Sequence, residues 1–131
     1  MSDNYKQNFC PSPWFHMRIN NSGGYEYCRW AQSPCTHNIS TTTPTEYFQQ
    51  HMIPIRQEFL DGNMPAGCHP CRTMDQQSKA SGRQKQLLKI GVRLDAFEKT
   101  LASSPWAPIF ADNTNNQLPQ DWQVDLGNYC N

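Results

Sequence analysis

A pair of cysteines separated by two residues, Cys68 and Cys71, constrains this chain more than any other feature. Two thiolates at that spacing can hold one metal centre from one side, and the remaining ligands must come from elsewhere. Cys28 and Cys10 are the candidates, because the first lies on a predicted β-hairpin and the second lies just before it. If the hairpin packs against the loop that carries the pair, four thiolates surround one point.

The hairpin is predicted for residues 13–30. Its first strand, "PWFHMRIN", alternates apolar and polar residues, and "NNSGG" at 20–24 tolerates the positive φ angles of a tight turn. The return strand is predicted over residues 25–30 and carries Cys28.

Helix signals follow. Thr43 is a predicted N-cap, with Pro44 as the first helical residue and Glu46 as the capping partner. Pro54 interrupts this helix or begins a second one, which is predicted to stop at Gly62. One face of the second helix gathers residues at helical spacing: Met52, Ile55, Arg56, Phe59 and Leu60.

The second half of the chain is more polar. A polar helix is predicted from Cys71 through Leu87 and Leu88, and a further helix over residues 93–102. Residues 103–121 are rich in proline and asparagine and are predicted to form a linker, followed by a short strand-like run. We therefore expect an α+β fold: a small N-terminal β-hairpin followed by several α-helices, organised around a four-cysteine metal centre.

Composition explains why such a centre would matter. Hydrophobic residues make up 37% of the chain and its mean hydropathy is −0.79, so the core will be lean for 131 residues. The 11 basic and 11 acidic residues cancel, which argues against nucleic acid or an anionic membrane as partner. A metal centre would supply cohesion that apolar burial does not.

The expected compartment is the cytoplasm. No stretch approaches the roughly 20 apolar residues of a membrane span, and the N-terminus lacks the features of a secretory signal. Six cysteines in a reducing compartment are more typical of metal ligands than of disulfides. A disulfide-rich extracellular domain is the alternative.

The identity of the metal stays open at this point. Four cysteines suit either a structural Zn²⁺ or an iron–sulfur cluster, although zinc ribbons usually present two close pairs. A redox dithiol is disfavoured, because no βαβ pattern precedes the pair. Cys35 is a spare thiol that competes with Cys28 as a ligand, and His69 is expected to face solvent or to lie behind the ligands.

Several spaced elements together resemble a known family. The pattern Cys10-x12-Gly23-x4-Cys28 followed by Cys68-x2-Cys71, within "CPSPWFHMRINNSGGYEYC" and "IRQEFLDGNMPAGCHPC" and before "SGR", resembles the first half of the SPASM domain. The resemblance is closest to the shortened twitch form that precedes the catalytic barrel in some radical SAM proteins. It implies one auxiliary [4Fe-4S] cluster, because the second half of the SPASM motif, Cys-x5-Cys-x3-Cys, does not occur here.

The resemblance also gives the end of the chain a meaning. "VDLGNYCN" looks like the first strand of a radical SAM barrel, with Cys130 as the first cysteine of the Cys-x3-Cys-x2-Cys motif. The implied organisation is an auxiliary module over 1–91, a helix and linker over 92–121, and the start of a truncated radical SAM domain over 122–131. The chain alone would not cleave SAM, and we expect it to be a fragment of a longer enzyme or a split gene product.

The expected function is thus an iron–sulfur-binding auxiliary module that serves electron transfer, substrate positioning or structure. Its partner would be a radical SAM catalytic domain, in the same chain or in a separate one. Arg83 could place a positive charge near the anionic cluster, or could be a surface helix charge. Trp14 and Trp30 are expected to cover the centre or to pack the hairpin. The alternative function is a four-cysteine zinc module that binds a protein partner.

Overall fold

The computed structural model describes residues 7–32, 35–114 and 118–125. Over these residues the protein is α+β, with a small three-stranded sheet and several short helices, as the sequence predicted. Within the same residues, no helix has the length and apolar character needed to cross a membrane.

The N-terminal hairpin is confirmed but is shorter than predicted. A helical turn, α1 (Ser12–Phe15), comes first, and only then do β1 (His16–Ile19) and β2 (Tyr25–Glu26) pair in antiparallel fashion. The predicted return strand ends early, because after β2 the chain turns: the Ala31 N–H donates to the Cys28 carbonyl at 3.2 Å. Cys28 therefore lies in a turn rather than on a strand.

The strand-like run near the end of the chain joins the same sheet. Strand β3 (Asp121–Val124) pairs in parallel with β1, which gives the order β2-β1-β3. The register sets His16 opposite Asp121, and the His16 ring nitrogen Nδ1 lies 3.0 Å from the Asp121 carboxylate. The hairpin is thereby connected to a segment more than 90 residues away in sequence.

The helices begin and end at local signals. Thr43 accepts a hydrogen bond from the Glu46 N–H at 3.1 Å, which confirms the predicted cap, and Gly62 follows the second helix with φ +83°. The bounds are α2 (Pro44–Glu46), continued by a π-helical turn (Tyr47–His51); α3 (Ile53–Leu60); α4 (His69–Gln76); α5 (Gly82–Lys89); and α6 (Phe97–Ser103). Short 3₁₀ turns cover Ala66–Cys68, Leu94–Ala96 and Ala107–Ala111.

The single polar helix predicted after Cys71 is wrong, because the structure has two helices there. Ser78 adopts a positive φ of 56° after α4, a conformation that stops a helix. The Ser81 side chain then accepts from the Gln84 N–H at 3.2 Å and so caps α5. Gly82, predicted to weaken a continuous helix, is the first residue of the second one.

Buried apolar side chains form two clusters. The first gathers the N-terminal segment with α5, α6 and the 3₁₀ turn after it, and includes Phe9, Cys10, Trp14, Phe59, Leu87, Phe97 and Phe110. The second joins the hairpin to the π-helical turn and the start of α3, and includes Met17, Tyr25, Cys28, Phe48 and Met52. Cys68 packs against both clusters, so the predicted ligands lie where the two clusters meet. The segment predicted as a linker supplies Phe110 to the first cluster.

Candidate metal centre

The four predicted ligands line one cavity. Cys10, Cys28 and Cys71 are each 8% exposed, and Cys68 is half-buried. Atoms leave about 380 Å³ unfilled among the lining side chains, the mouth included, but the centre of a water molecule can reach only about 20 Å³. A centre bound here would therefore touch the sulfurs directly rather than through a shell of water.

Hydrogen bonds to main-chain carbonyls hold together the segments that carry the four cysteines. The Gln32 N–H donates to the Gly67 carbonyl at 2.8 Å, which holds the turn after Cys28 against the loop that delivers Cys68. The Ser12 hydroxyl donates to the Tyr27 carbonyl at 3.3 Å, which ties the turn after Cys10 to the residue before Cys28. The first turn of α4, which begins at His69, fixes the position of Cys71 relative to Cys68.

Burial raises the pKa of three of these thiols, those of Cys10, Cys28 and Cys68. Burial and the neighbouring Cys28 sulfur raise the pKa of the Cys10 thiol well above its usual value. Burial raises the pKa of Cys68 to about 12, although a hydrogen bond with the Tyr27 hydroxyl at 3.0 Å favours its thiolate. Burial also raises the pKa of Cys28, and the main-chain N–H of Trp30, 3.4 Å from that sulfur, partly offsets the effect.

These shifts limit what the thiols can do unaided. Reactive and redox cysteines have a lowered pKa, whereas three of these four have a raised one. Several thiolates in one cavity repel each other, and a bound metal cation removes that repulsion. The donor set therefore fits a thiophilic metal centre better than a dithiol redox site.

Part of the cavity wall comes from the first turn and a half of α5. Gly82, Arg83 and Gln86 lie at i, i+1 and i+4 on one side of the helix and all three line the cavity. The Trp30 indole, half-buried, packs on Gly82 and also lines the cavity. Of the two tryptophans expected to cover the centre, Trp30 therefore contacts the site.

Arg83 is a buried cation rather than a surface charge. It is 4% exposed, its Nε donates to the Asp75 carboxylate at 2.9 Å, and its Nη1 donates to the Phe9 carbonyl at 3.1 Å. The guanidinium thus fixes the segment before Cys10 and places a positive charge at the cavity wall.

The other sequence candidates lie elsewhere. Trp14 packs in the first cluster, where its indole N–H donates to the Asp112 carbonyl at 2.9 Å. Cys35 is exposed, with its sulfur 3.2 Å from the Asn20 amide nitrogen, and His69 is exposed at the start of α4. Cys130 lies outside the described residues.

Sequence reasoning missed Gln86. It is 2% exposed, and its side-chain oxygen has no hydrogen-bond partner among the described residues. The helical spacing from Gly82 and Arg83, the glycine and arginine of the "SGR" motif, was the signal that could have placed it at the site.

The four cysteines line one cavity, but the described part of the chain does not show the four-cysteine metal centre that the sequence predicted. Across the described ranges, no group of three or more His, Cys, Asp or Glu side chains is arranged to hold a single metal ion. Comparisons with known protein families, with curated proteins and with solved structures give no match for this chain.

Proposed function

We propose that Cys10, Cys28, Cys68 and Cys71 bind one [4Fe-4S] cluster and that the protein is an auxiliary module of a radical SAM enzyme. The observation that carries the proposal is that these four cysteines, drawn from three distant segments, line one cavity between the two core clusters. The family resemblance drawn from the sequence supplies the enzyme class.

The spacing of the cysteines along the chain favours a cluster over zinc. Structural zinc sites usually present two close cysteine pairs, whereas here Cys68 and Cys71 form the one close pair and Cys10 and Cys28 are single. Four cysteine thiolates are also the ligand set of a [4Fe-4S] cluster.

The surroundings also suit an anionic cluster. The Arg83 guanidinium offers positive charge, and the main-chain N–H of Trp30 donates to the Cys28 sulfur at 3.4 Å. Such charges and N–H···S contacts are the means by which proteins tune iron–sulfur potentials. Reducing conditions in the cytoplasm, where we place the protein, keep the thiols available.

Four protein ligands define the role. A bound cluster supplies one-electron transfer, and with a thiolate on each iron no position is left for a substrate. The module therefore passes electrons or braces the fold, and is not catalytic alone. Its partner is a radical SAM domain, in the same chain or in a separate one.

Anaerobic reconstitution tests the cluster. The wild-type protein should turn brown and hold about four irons per chain, with matching sulfide and a [4Fe-4S] EPR signal after reduction. Cys10→Ala and Cys71→Ala should lose most of this iron, while the matched Cys35→Ala should keep it. Circular dichroism of the metal-free variants separates lost ligation from unfolding. A colourless protein with one tightly held zinc would overturn the iron–sulfur assignment.

The link to a radical SAM domain has a separate test. The coding sequence that follows residue 131, or a neighbouring gene, should supply the two further cysteines of Cys-x3-Cys-x2-Cys. A downstream sequence without them, and no neighbouring radical SAM gene, would remove the enzyme assignment and leave the cluster proposal standing.

A further inference from the structure

Gln86 carries a buried polar group for which the fold supplies no partner. Its side chain is 2% exposed, it lines the same cavity as the four cysteines, and its oxygen accepts no hydrogen bond from the described residues. Its neighbours on α5 are different, because Ser81 caps the helix and Gln84 donates to Asp75 at 2.7 Å.

Folded proteins rarely leave such a group unsatisfied, because its lost hydration is not recovered. A leucine at this position would avoid that cost and would suit the apolar cluster that contains Leu87. A glutamine buried against a metal cavity therefore indicates a partner that arrives with the occupant of the cavity.

We propose that Gln86 donates a side-chain N–H to a sulfur of the bound cluster, either an inorganic sulfide or a cysteine thiolate. This inference rests on the proposed function. Sulfide and thiolate sulfurs only accept hydrogen bonds, so the carboxamide must present its NH₂ group. It can do so by half a turn about its last side-chain bond, which exchanges the oxygen and nitrogen positions.

The contact has a defined consequence. Reduction adds negative charge to the cluster, so an N–H donor stabilises the reduced form more than the oxidised form and raises the reduction potential. Gln86 is neutral and therefore acts on the potential through the orientation of its N–H group, whereas Arg83, one turn earlier on α5, acts through its charge. Gln86 is thus a positioning and tuning residue and not a ligand to iron.

The test compares Gln86→Leu with Gln77→Leu, the same substitution at an exposed position after α4. In reconstituted protein, Gln86→Leu should give a more negative potential by EPR-monitored titration. It should also release iron to a chelator about tenfold faster, as expected when a partner of a ligand is lost. In metal-free protein the same variant should melt at an equal or higher temperature, because the unsatisfied oxygen is gone. Gln77→Leu should change neither the potential nor the iron release.

The variant is thus expected to weaken the reconstituted protein without weakening the metal-free protein. A purely structural role of Gln86 would not produce these opposite effects. If Gln86→Leu keeps the wild-type potential and iron release, or destabilises the metal-free protein, the inference is overturned while the cluster stands. If the wild type takes up no iron, the proposed function fails, and the inference fails with it. If the leucine variant does not fold, the same measurements are made on Gln86→Met, whose side chain is closer in shape to glutamine.

Discussion

Gly82 lies directly under the indole of Trp30. A β-carbon on residue 82 would stand 2.4 Å from Cε3 and 2.5 Å from Cδ2 of that ring, closer than side chains pack. Both residues line the cysteine cavity, so the absence of a side chain at position 82 sets where the cavity wall can lie.

We predict that Gly82→Ala destabilises the protein, although alanine is favoured over glycine in a helix by about 1 kcal/mol. The clash with Trp30 outweighs that preference and should also speed the loss of iron from reconstituted protein. Urea unfolding of the metal-free protein measures the first effect. In a Trp30→Ala background the clash is gone, so Gly82→Ala should become stabilising by up to about 1 kcal/mol. The same sign in both backgrounds would contradict this account.

Arg83 and Asp75 should move the cluster potential in opposite directions. The guanidinium lines the cavity, whereas its partner Asp75 lies behind it and also accepts from Gln84. Arg83→Met removes the near cation and leaves the carboxylate unneutralised, so the potential should become more negative. Asp75→Asn removes the anion, so the potential should become less negative. A redox titration of both reconstituted variants checks the pair, and shifts of the same sign would show that the charges do not act on the cluster.

Arg56 is a buried cation that joins three segments. It is 0% exposed, and it donates to the main-chain carbonyls of Pro13 at 2.8 Å, of Asn113 at 3.3 Å and of Phe48. Burial lowers its pKa to about 10, so it stays charged at neutral pH. Arg56→Met leaves these carbonyls unpaired and should cost about 3 kcal/mol of unfolding free energy in urea.

Two further variants sharpen the Arg56 prediction. Arg56→Lys keeps the charge but lacks the planar fork, so it should be destabilised in the same direction as Arg56→Met. Arg93→Met, at a side chain that is 62% exposed, should stay within about 0.5 kcal/mol of the wild type. An Arg56→Met protein as stable as the Arg93→Met control would refute the structural role.

His16 should make stability depend on pH. Burial lowers its pKa even though Asp121 favours the charged ring, and its second nitrogen, Nε2, is buried without a partner among the described residues. Lys89 and Arg29 also disfavour the imidazolium. The unfolded state, with a pKa of about 6.5, then binds the proton more readily than the folded state. Stability should therefore fall as the pH drops below about 6.5 and should not change through this group above it.

The matched variant for this effect is His16→Gln, which keeps a neutral polar side chain beside Asp121. Between pH 5 and 7.5 the wild type should lose unfolding free energy relative to the variant as the pH falls, because only the wild type has a ring that is protonated more readily in the unfolded state. Parallel curves would show that His16 does not contribute to the pH dependence.

Arg56 also shows where sequence reasoning reached its limit. Helical spacing placed it on the same face as Met52, Ile55 and Phe59, and that geometry holds. The spacing does not reveal that this arginine is buried, because its carbonyl partners lie in three separate segments, the most distant 57 residues away in sequence. The break between α4 and α5 at residues 77–81 was missed for a related reason. Its local stop signal is weak, so whether the helix ends there depends on what the flanking helices pack against.

The sequence by itself determined the features that depend on a few neighbouring residues: the Thr43 cap, the turn between β1 and β2, the stop at Gly62 and the spacing of Cys68 and Cys71. Backbone sterics and side-chain-to-backbone hydrogen bonds act over such short distances, so the pattern is sufficient. Only the tertiary structure decided that Cys10 and Cys28 lie beside that pair, that β3 pairs with β1, and that Arg83 and Gln86 face the cavity. Those contacts depend on how two apolar clusters pack against each other, and packing is a property of the whole chain.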